Sequence, residues 1–205
     1  MKTIIEQSLE RSKSYPEYRN LVTQLVKDES ATGDEKTTDR IEFTKLNDRR
    51  MKRWDKTLKV SDDFKEKINS FNEKVTWLVI TESWCGDAAH IMPVINRVAE
   101  LNDNITFKTV LRDDNEDLMN LFLTNGSKSI PKLIMLDDET GEVVNTYGSR
   151  PTTATKLVND YKAEFGKLTP DFKQGLQVWY NNDKGQNVME DLTHMLCELE
   201  PEVCY

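Results

Sequence analysis

Residues 75–88 of the 205-residue chain read VTWLVITESWCGDA. Residues 75–81 are almost continuously apolar, which is typical of a β-strand covered on both faces. Helical spacing of apolar residues follows from about Cys85 to Leu101, and Ile105–Leu111 predicts a second strand. Strand, short polar turn, helix and strand in this order indicate an α/β domain with the sheet at its centre.

The next part of the chain continues the α/β pattern. Residues 131–136 and 142–147 predict two strands of a β-hairpin, joined by the turn Asp137–Gly141. Thr152–Phe165 predicts a helix that closes the domain. We therefore expect the central domain to span residues 61–166.

Both ends of the chain predict helices without strands. We expect an N-terminal helical extension over residues 1–60 and a C-terminal helical extension over residues 167–205, packed on the central domain. Residues 30–39 predict an exposed loop. A basic run follows, for which a solvated helix face or a contact with the acidic second part is favoured over an anion site. The run consists of Arg49, Arg50, Lys52, Arg53, Lys56 and Lys59.

Composition limits the function classes. The formal net charge of −8 argues against a general nucleic-acid binder. The apolar runs are far shorter than the roughly 20 residues that a membrane-spanning helix needs. The first residues show neither the apolar region nor the cleavage site of a secretory signal. We therefore expect a cytoplasmic protein with no membrane and no nucleic-acid partner.

Cys85 is the thiol whose position suggests chemistry. The chain has three cysteines, an odd number that argues against a structural disulfide framework. Cys85 lies where a buried strand gives way to a helix, and the free backbone N–H groups of a helix start favour a thiolate. Asp87 acts in the opposite direction by charge repulsion, and the sequence leaves the balance open. On spacing alone, an inert buried cysteine is the simpler interpretation.

Several motifs resemble those of the thioredoxin family in order and spacing, over about residues 64–165. More closely, the chain is similar to bacterial thioredoxin-like proteins with a single-cysteine W-C-G-D-A motif. The matching segments are residues 84–88, Pro93, residues 129–134, residues 141–144 and Gly148. The resemblance implies a thioredoxin-like α/β fold, with a central mixed sheet flanked by helices and with helical extensions at both ends.

The resemblance also implies site residues. Cys85 matches the attacking cysteine, and Pro131 matches the proline that follows a cis peptide bond opposite it. In the family, the position of Ile130 offers its backbone to an extended peptide, and the position of Gly148 leaves room for the partner. The remaining positions expected to contact substrate are those around the cysteine, Trp84, Gly86 and Asp87.

Two departures from the family pattern affect one chemical step. Ala88 occupies the position of the second motif cysteine, and Val79 occupies the position of a buried carboxylate that moves a proton when the mixed disulfide is resolved. The resolving thiol must then come from elsewhere. An external low-molecular-weight thiol is favoured over a partner protein's thiol or the terminal Cys204. Cys197 is interpreted as a packed core thiol.

Other polar residues have simple structural interpretations. His90 lies five positions after Cys85, which is not the spacing that joins side chains on one helix face, so we do not assign it as a general base. We call residues 129–131 the docking loop, because the resemblance implies that an extended peptide contacts this backbone. For the three cations near it, solvent exposure is favoured over a carboxylate-binding role. These are Lys128, Lys132 and Arg150. Trp54 and Trp179 are expected to anchor the terminal helices in the core.

The sequence therefore predicts a thiol–disulfide oxidoreductase with one attacking cysteine, Cys85, and a mixed disulfide resolved by an external thiol. Its expected partners are protein or small-molecule thiols and disulfides, with no metal and no cofactor apart from a low-molecular-weight thiol as co-substrate. The alternative is a non-catalytic thioredoxin-fold module that binds peptides or proteins. A metal or cluster carrier that joins Cys85 with an external thiol is less favoured.

Overall fold

The computed structural model describes residues 1–204, without the side chains of Glu202 and Cys204. Nine α-helices and four strands are present in this part of the chain. In chain order they are α1 (Lys2–Glu10), α2 (Tyr15–Lys27), α3 (Thr38–Thr57), α4 (Asp62–Asn69), β1 (Val75–Thr81), α5 (Ala88–Ala99), β2 (Ile105–Leu111), α6 (Glu116–Leu121), β3 (Lys132–Asp137), β4 (Val143–Tyr147), α7 (Thr152–Phe165), α8 (Pro170–Asp183) and α9 (Gln186–Leu199). Short 3₁₀ turns lie at Asp113–Asn115 and Pro201–Cys204.

The four strands form one mixed sheet in the order β2-β1-β3-β4. β1 runs parallel to β2 and antiparallel to β3, and β3 pairs with β4 as an antiparallel hairpin. Every residue of β1 except Thr76 is buried, as its apolar sequence predicts for a central strand covered on both faces. The expected α/β class, with a mixed sheet flanked by helices, is confirmed.

Helix α5 is enclosed by the other helices. Ten of its twelve residues are buried, because α3 and α9 both pack against it. It begins at Ala88 rather than at Cys85, so the expected start is wrong by three residues. Cys85 consequently lies in the connection that precedes the helix.

The terminal helices pack on the α/β core. Trp54 of α3 is buried and Trp179 of α8 packs against the core, as predicted for anchoring residues. The expectation of an exposed loop at residues 30–39 is wrong at two positions, since Ala31 and Thr32 are buried. Composition predicts exposure there, but Thr32 makes hydrogen bonds to Ser83 that only the folded chain reveals.

The cysteines differ from the expectation in one respect. Cys85 is a free thiol. Cys197 packs against the core as predicted, but it is disulfide-bonded, so its interpretation as a free thiol is wrong. A disulfide needs two thiols within a narrow distance, and sequence spacing does not report that distance. Cys204, a candidate resolving thiol, lies outside the described side chains.

Within residues 1–204, no helix is both long and apolar enough to cross a membrane.

Candidate active site around Cys85

Cys85 is held in the turn between β1 and α5. Its backbone N–H donates to the carbonyl of Glu82 at 3.1 Å, and its carbonyl accepts from Ala89 at 3.2 Å. The thiol donates to the carbonyl oxygen of Ile130 at 3.3 Å, and the Ile130–Pro131 peptide bond is cis. The fold thus brings Cys85 against the segment that the resemblance implies. We call this region, with Asp87 and Arg150, the Cys85 cleft.

Gly148 lies beside Pro131 at the floor of the Cys85 cleft. Its φ of +105° is in the region that favours glycine. A Cβ at this position would overlap the carbonyl oxygen of Pro131. The structure therefore gives Gly148 a role within the protein itself, which is to let two backbone segments approach closely.

Burial decides whether Cys85 is a thiol or a thiolate. The residue is 8% exposed. Burial first, and the negative charge of Asp87 second, raise the pKa of the thiol to about 12. The backbone N–H groups of Ala88 and Asp87 and the guanidinium of Arg150 lower this pKa, but they do not prevail. At neutral pH the resting residue is therefore a thiol, although the helix start alone favours a thiolate.

Asp87 joins the cleft to the C-terminal helices. Its carboxylate forms an ion pair with Arg150 at 2.7 Å and accepts a hydrogen bond from the Tyr180 hydroxyl of α8 at 2.9 Å. Burial raises the pKa of Asp87, while Arg150 and Tyr180 act to lower it. The favoured interpretation of Arg150 as a solvent-exposed cation is therefore wrong, because its side chain is 25% exposed and its guanidinium is paired with the Asp87 carboxylate.

The other two cations near the docking loop have separate environments. Lys128 forms an ion pair with Glu116. Lys132 is buried, and burial lowers its pKa. Solvent exposure is thus also the wrong interpretation for Lys132. Since Arg150 is occupied by Asp87, the three cations do not form a common site for a carboxylate.

The N-terminal helices support the turn that carries Cys85. The Ser83 hydroxyl accepts from the backbone N–H of Thr32 at 3.0 Å and lies 2.8 Å from the Thr44 hydroxyl. Asn47 donates to the Ser83 carbonyl at 2.9 Å. Sequence reasoning missed this contact, because short polar residues in a loop and a helix carry no signal of a distant partner. Residues 31–47 therefore act as a brace for the cleft.

Trp84 and Gly86 flank Cys85 and also contact the N-terminal half. The Trp84 ring has two guanidinium groups over it, from Arg40 at 4.6 Å and Arg112 at 5.0 Å, an arrangement that stabilises both cations. Gly86 faces Arg50, whose Nη1 atom would lie 3.7 Å from a Cβ at that position. Trp84 is partly buried, so one aromatic surface beside the thiol is already covered by this chain.

His90 is a structural link between three helices. Its Nδ1 accepts from the Trp54 indole N–H at 3.0 Å, and its Nε2 lies 2.9 Å from the Gln177 side-chain oxygen. The first contact requires a lone pair on Nδ1, so Nε2 carries the proton and donates to Gln177. The ring also stacks on Tyr180 at 4.6 Å. Burial lowers the pKa of His90 to about 4.

A buried carboxylate near the site escaped the sequence interpretation. Val79 is in the apolar core, but Glu82 is fully buried. One oxygen of Glu82 accepts from the backbone N–H of Asp113 at 2.9 Å, and the other has no hydrogen-bond partner among the described residues. Burial raises the pKa of this carboxyl group. Among the side chains that the structure describes, no group of three or more acidic, histidine or cysteine residues could hold a metal ion.

This combination of a mixed sheet, a thiol before a helix start and a cis proline opposite it defines a thioredoxin-like protein. A family model described as thioredoxin matches residues 35–162, so the chain belongs to the thioredoxin family. The match includes α3, which contains Asn47 of the brace. No curated protein matches the chain significantly.

Two solved structures share the fold at low sequence identity. A protein of unknown function from Pseudomonas aeruginosa is 17% identical, with a TM-score of 0.56, covering 77% of this chain and 86% of its own. A crystallised HIV epitope scaffold is 16% identical, with a TM-score of 0.57, covering 92% and 99%. At these identities the likeness concerns the fold alone.

Proposed function

We propose that this protein is a thiol–disulfide oxidoreductase that uses Cys85 as its one attacking thiol. The observation that carries the proposal is the 3.3 Å contact between the Cys85 thiol and the Ile130 carbonyl. A disulfide laid along this backbone would bring one sulfur next to Cys85. The Ala88 side chain has no thiol, so the mixed disulfide must be resolved by another molecule.

The proposed reaction has two exchange steps. The Cys85 thiolate attacks a disulfide R–S–S–R′, forms a mixed disulfide with R–S, and releases R′–S⁻, which takes up a proton. A low-molecular-weight thiol then attacks the R–S sulfur as a thiolate. This step releases Cys85 and yields a new disulfide between R–S and the external thiol. Electrons pass from the external thiol to the disulfide, and no further cofactor is needed.

A partner that reacts with Cys85 must favour its thiolate over its thiol. The raised pKa keeps Cys85 protonated at rest, so the catalysed turnover of a small disulfide should be slow at neutral pH and should rise with pH as the thiolate fraction grows. Arg150 and the N–H groups of Asp87 and Ala88 lower this pKa and would stabilise the thiolate once a docked partner loosens the Asp87 ion pair. The proposal includes protein or small-molecule disulfides as substrates and the cytoplasm as location.

A turnover assay tests the proposal on the full chain. The probe is bis(2-hydroxyethyl) disulfide, with glutathione as the external thiol and the uncatalysed rate subtracted. We expect Cys85→Ser to abolish the catalysed rate. Without glutathione, mass analysis of the wild type should show a 2-hydroxyethylthio adduct mapped to Cys85. A Cys85→Ser protein as fast as wild type would contradict the proposal.

Ala88 offers a matched pair of variants for the resolving step. Ala88→Cys supplies a second thiol at the start of α5, so we expect it to release the R–S group from Cys85 in a single turnover without glutathione, through an internal disulfide that glutathione reduces afterwards. Ala88→Ser introduces a side chain of similar size without a thiol and should retain the glutathione dependence of the wild type. Release of the R–S group from the wild type or from Ala88→Ser without glutathione would argue against an external resolving thiol.

The second candidate function is a non-catalytic binding module, favoured by the burial and raised pKa of Cys85. Under this function the cleft recognises an extended partner without exchange. Partner capture from a lysate separates the two candidates, with wild type and Cys85→Ser compared after denaturation without reductant. Partners lost from Cys85→Ser support exchange, whereas equal non-covalent capture by both proteins supports the binding module.

A further inference from the structure

A cavity of about 420 Å³ lies between the C-terminal end of α3 and the corner that joins α8 to α9. This volume falls within the roughly 300–1,000 Å³ of small-molecule sites. We call it the cationic cavity. The side chains that define it are Arg53, Lys59, Lys184, Trp54, Leu58 and Asn181.

The charge of this cavity is opposite to that of the whole chain. The protein has 36 acidic and 28 basic side chains, but the cavity lining contains Arg53, Lys59 and Lys184 and no carboxylate. None of these three cations forms an ion pair with another side chain described in the structure. Three uncompensated positive charges therefore face one concave space.

The acidic residues adjacent in sequence are bound elsewhere. Asp55 pairs with Arg19 at 3.2 Å and accepts from the Tyr15 hydroxyl at 2.7 Å. Asp183 accepts from the backbone N–H of Asn187 at 3.2 Å, at the start of α9. Neither carboxylate forms an ion pair with Arg53, Lys59 or Lys184.

The wall of the cavity combines apolar surface with hydrogen-bond donors. The Trp54 N–H is used by His90, so its ring offers only apolar surface, next to Leu58. Arg53 lies over this ring at 5.4 Å and donates to the side-chain oxygen of Asn181 at 2.6 Å. This hydrogen bond orients Asn181 so that its NH₂ group remains as a donor.

We propose that the cationic cavity binds a small organic phosphate. A phosphate monoester carries about −1.5 to −2 charges at pH 7 and three acceptor oxygens, which matches three cations and an amide donor. The organic part of the ligand packs on Leu58 and on the small part of Trp54 that lines the cavity. From the sequence alone, the basic run is interpreted as a solvated helix face. The sequence does not show that Lys184, between α8 and α9, lies beside Arg53 and Lys59 of this run.

Calorimetric titration of the full chain at low ionic strength tests this site. The probes are adenosine 5′-monophosphate, ribose 5-phosphate, adenosine and inorganic phosphate. We expect the two organic phosphates to bind and adenosine not to bind. Inorganic phosphate should bind at least about tenfold more weakly than adenosine 5′-monophosphate, because it leaves the apolar wall uncovered.

A charge-matched pair of double variants locates the binding. Arg53→Gln/Lys184→Gln removes two cavity cations, and we expect at least about tenfold weaker binding of adenosine 5′-monophosphate. Arg49→Gln/Lys56→Gln removes two exposed cations of α3 that do not line the cavity and should leave the affinity unchanged. Circular dichroism should show that both proteins are folded.

Three outcomes would overturn the inference: no binding of either organic phosphate to wild type, equal weakening by both double variants, or inorganic phosphate binding as tightly as adenosine 5′-monophosphate. The site is independent of the thiol chemistry, so Cys85→Ser should bind the probes like wild type.

Discussion

The Cys85 cleft and the cationic cavity handle charge in opposite ways. In the cleft, Asp87 pairs with Arg150 and Tyr180, and its negative charge raises the pKa of the neighbouring Cys85 thiol. In the cavity, Arg53 and Lys184 are without ion-pair partners among the described side chains, and their charge faces open space. Paired buried charges tune reactivity, whereas unpaired cations in a concave surface select a ligand.

The same contrast applies to packing. The cleft is closed, with two backbone segments in contact at Gly148, while the cavity is open to solvent. Substitutions in the cleft should therefore change stability or thiol reactivity. Exchanging the exposed cavity cations should leave stability almost unchanged, as is usual for surface residues.

The largest expected effect in the cleft is that of Gly148→Ala. The new Cβ combines an unfavourable positive φ with overlap on the Pro131 carbonyl, so we expect a loss of about 3 kcal/mol in the free energy of unfolding. Gly126→Ala is the matched control, because its φ is +75° but nothing lies within 4 Å of the new Cβ. It should cost only about 1 kcal/mol.

Urea denaturation of both glycine variants measures the difference. If the two substitutions lower the free energy of unfolding equally, the backbone at Gly148 is not packed tightly against Pro131. The cleft and the cavity would then not differ in packing.

The second effect is a pH dependence from His90. Its pKa is about 4 in the folded protein and 6.5 when unperturbed, so between these values the unfolded chain binds a proton that the folded chain does not. Stability contributed by neutral His90 is present above pH 6.5 and is lost as the pH falls to about 4. The loss reaches about 3 kcal/mol.

Urea denaturation at several pH values, for wild type and His90→Gln, isolates this contribution. The difference in unfolding free energy between the two proteins should shrink as the pH falls from 6.5 to 4. A difference that stays constant across this range would show that burial does not keep His90 neutral in the folded protein.

The smallest expected effect concerns Asp87→Asn. The charge of Asp87 is the second largest cause of the raised Cys85 pKa. Its removal should lower this pKa by about one unit, so the fraction of thiolate at any pH well below the pKa should rise about tenfold. Iodoacetamide alkylation of Cys85, followed by mass spectrometry across pH, measures the change. Asp62→Asn makes the same change in charge on the exposed surface of α4 and should leave the rate at the wild-type value.

A Cys85 rate in Asp87→Asn equal to or below that of wild type would mean that burial alone governs the thiol. The ion pair between Asp87 and Arg150 would then have a purely structural role. The paired charges of the Cys85 cleft would not tune the reactivity of the thiol.

Much of the architecture follows from local sequence. The bounds of β2 and α7 agree with the structure, because their apolar periodicity is continuous and their flanking residues mark turns. The start of α5 was misplaced, since Cys85 and Gly86 fit a first helical turn equally well. The family resemblance also placed Cys85 near Ile130 and Pro131, which the fold brings together.

The hydrogen bonds and the burial around the site cannot be predicted from local sequence. Tyr180 is 93 positions from Asp87, and a tyrosine in a predicted helix gives no indication of its acceptor. The support of Ser83 by Thr32 and the burial of Glu82 likewise depend on contacts between segments that are remote in the chain.

The sequence by itself determined the order of helices and strands, the thiol at the end of the central strand and the loss of a second motif thiol at Ala88. These features depend on periodicity and residue identity, which are local. Only the tertiary structure decided that Cys85 is protonated at rest and that Lys184 joins Arg53 in one cavity. Burial and charge interactions depend on distance in space, which helices from both ends of the chain set together.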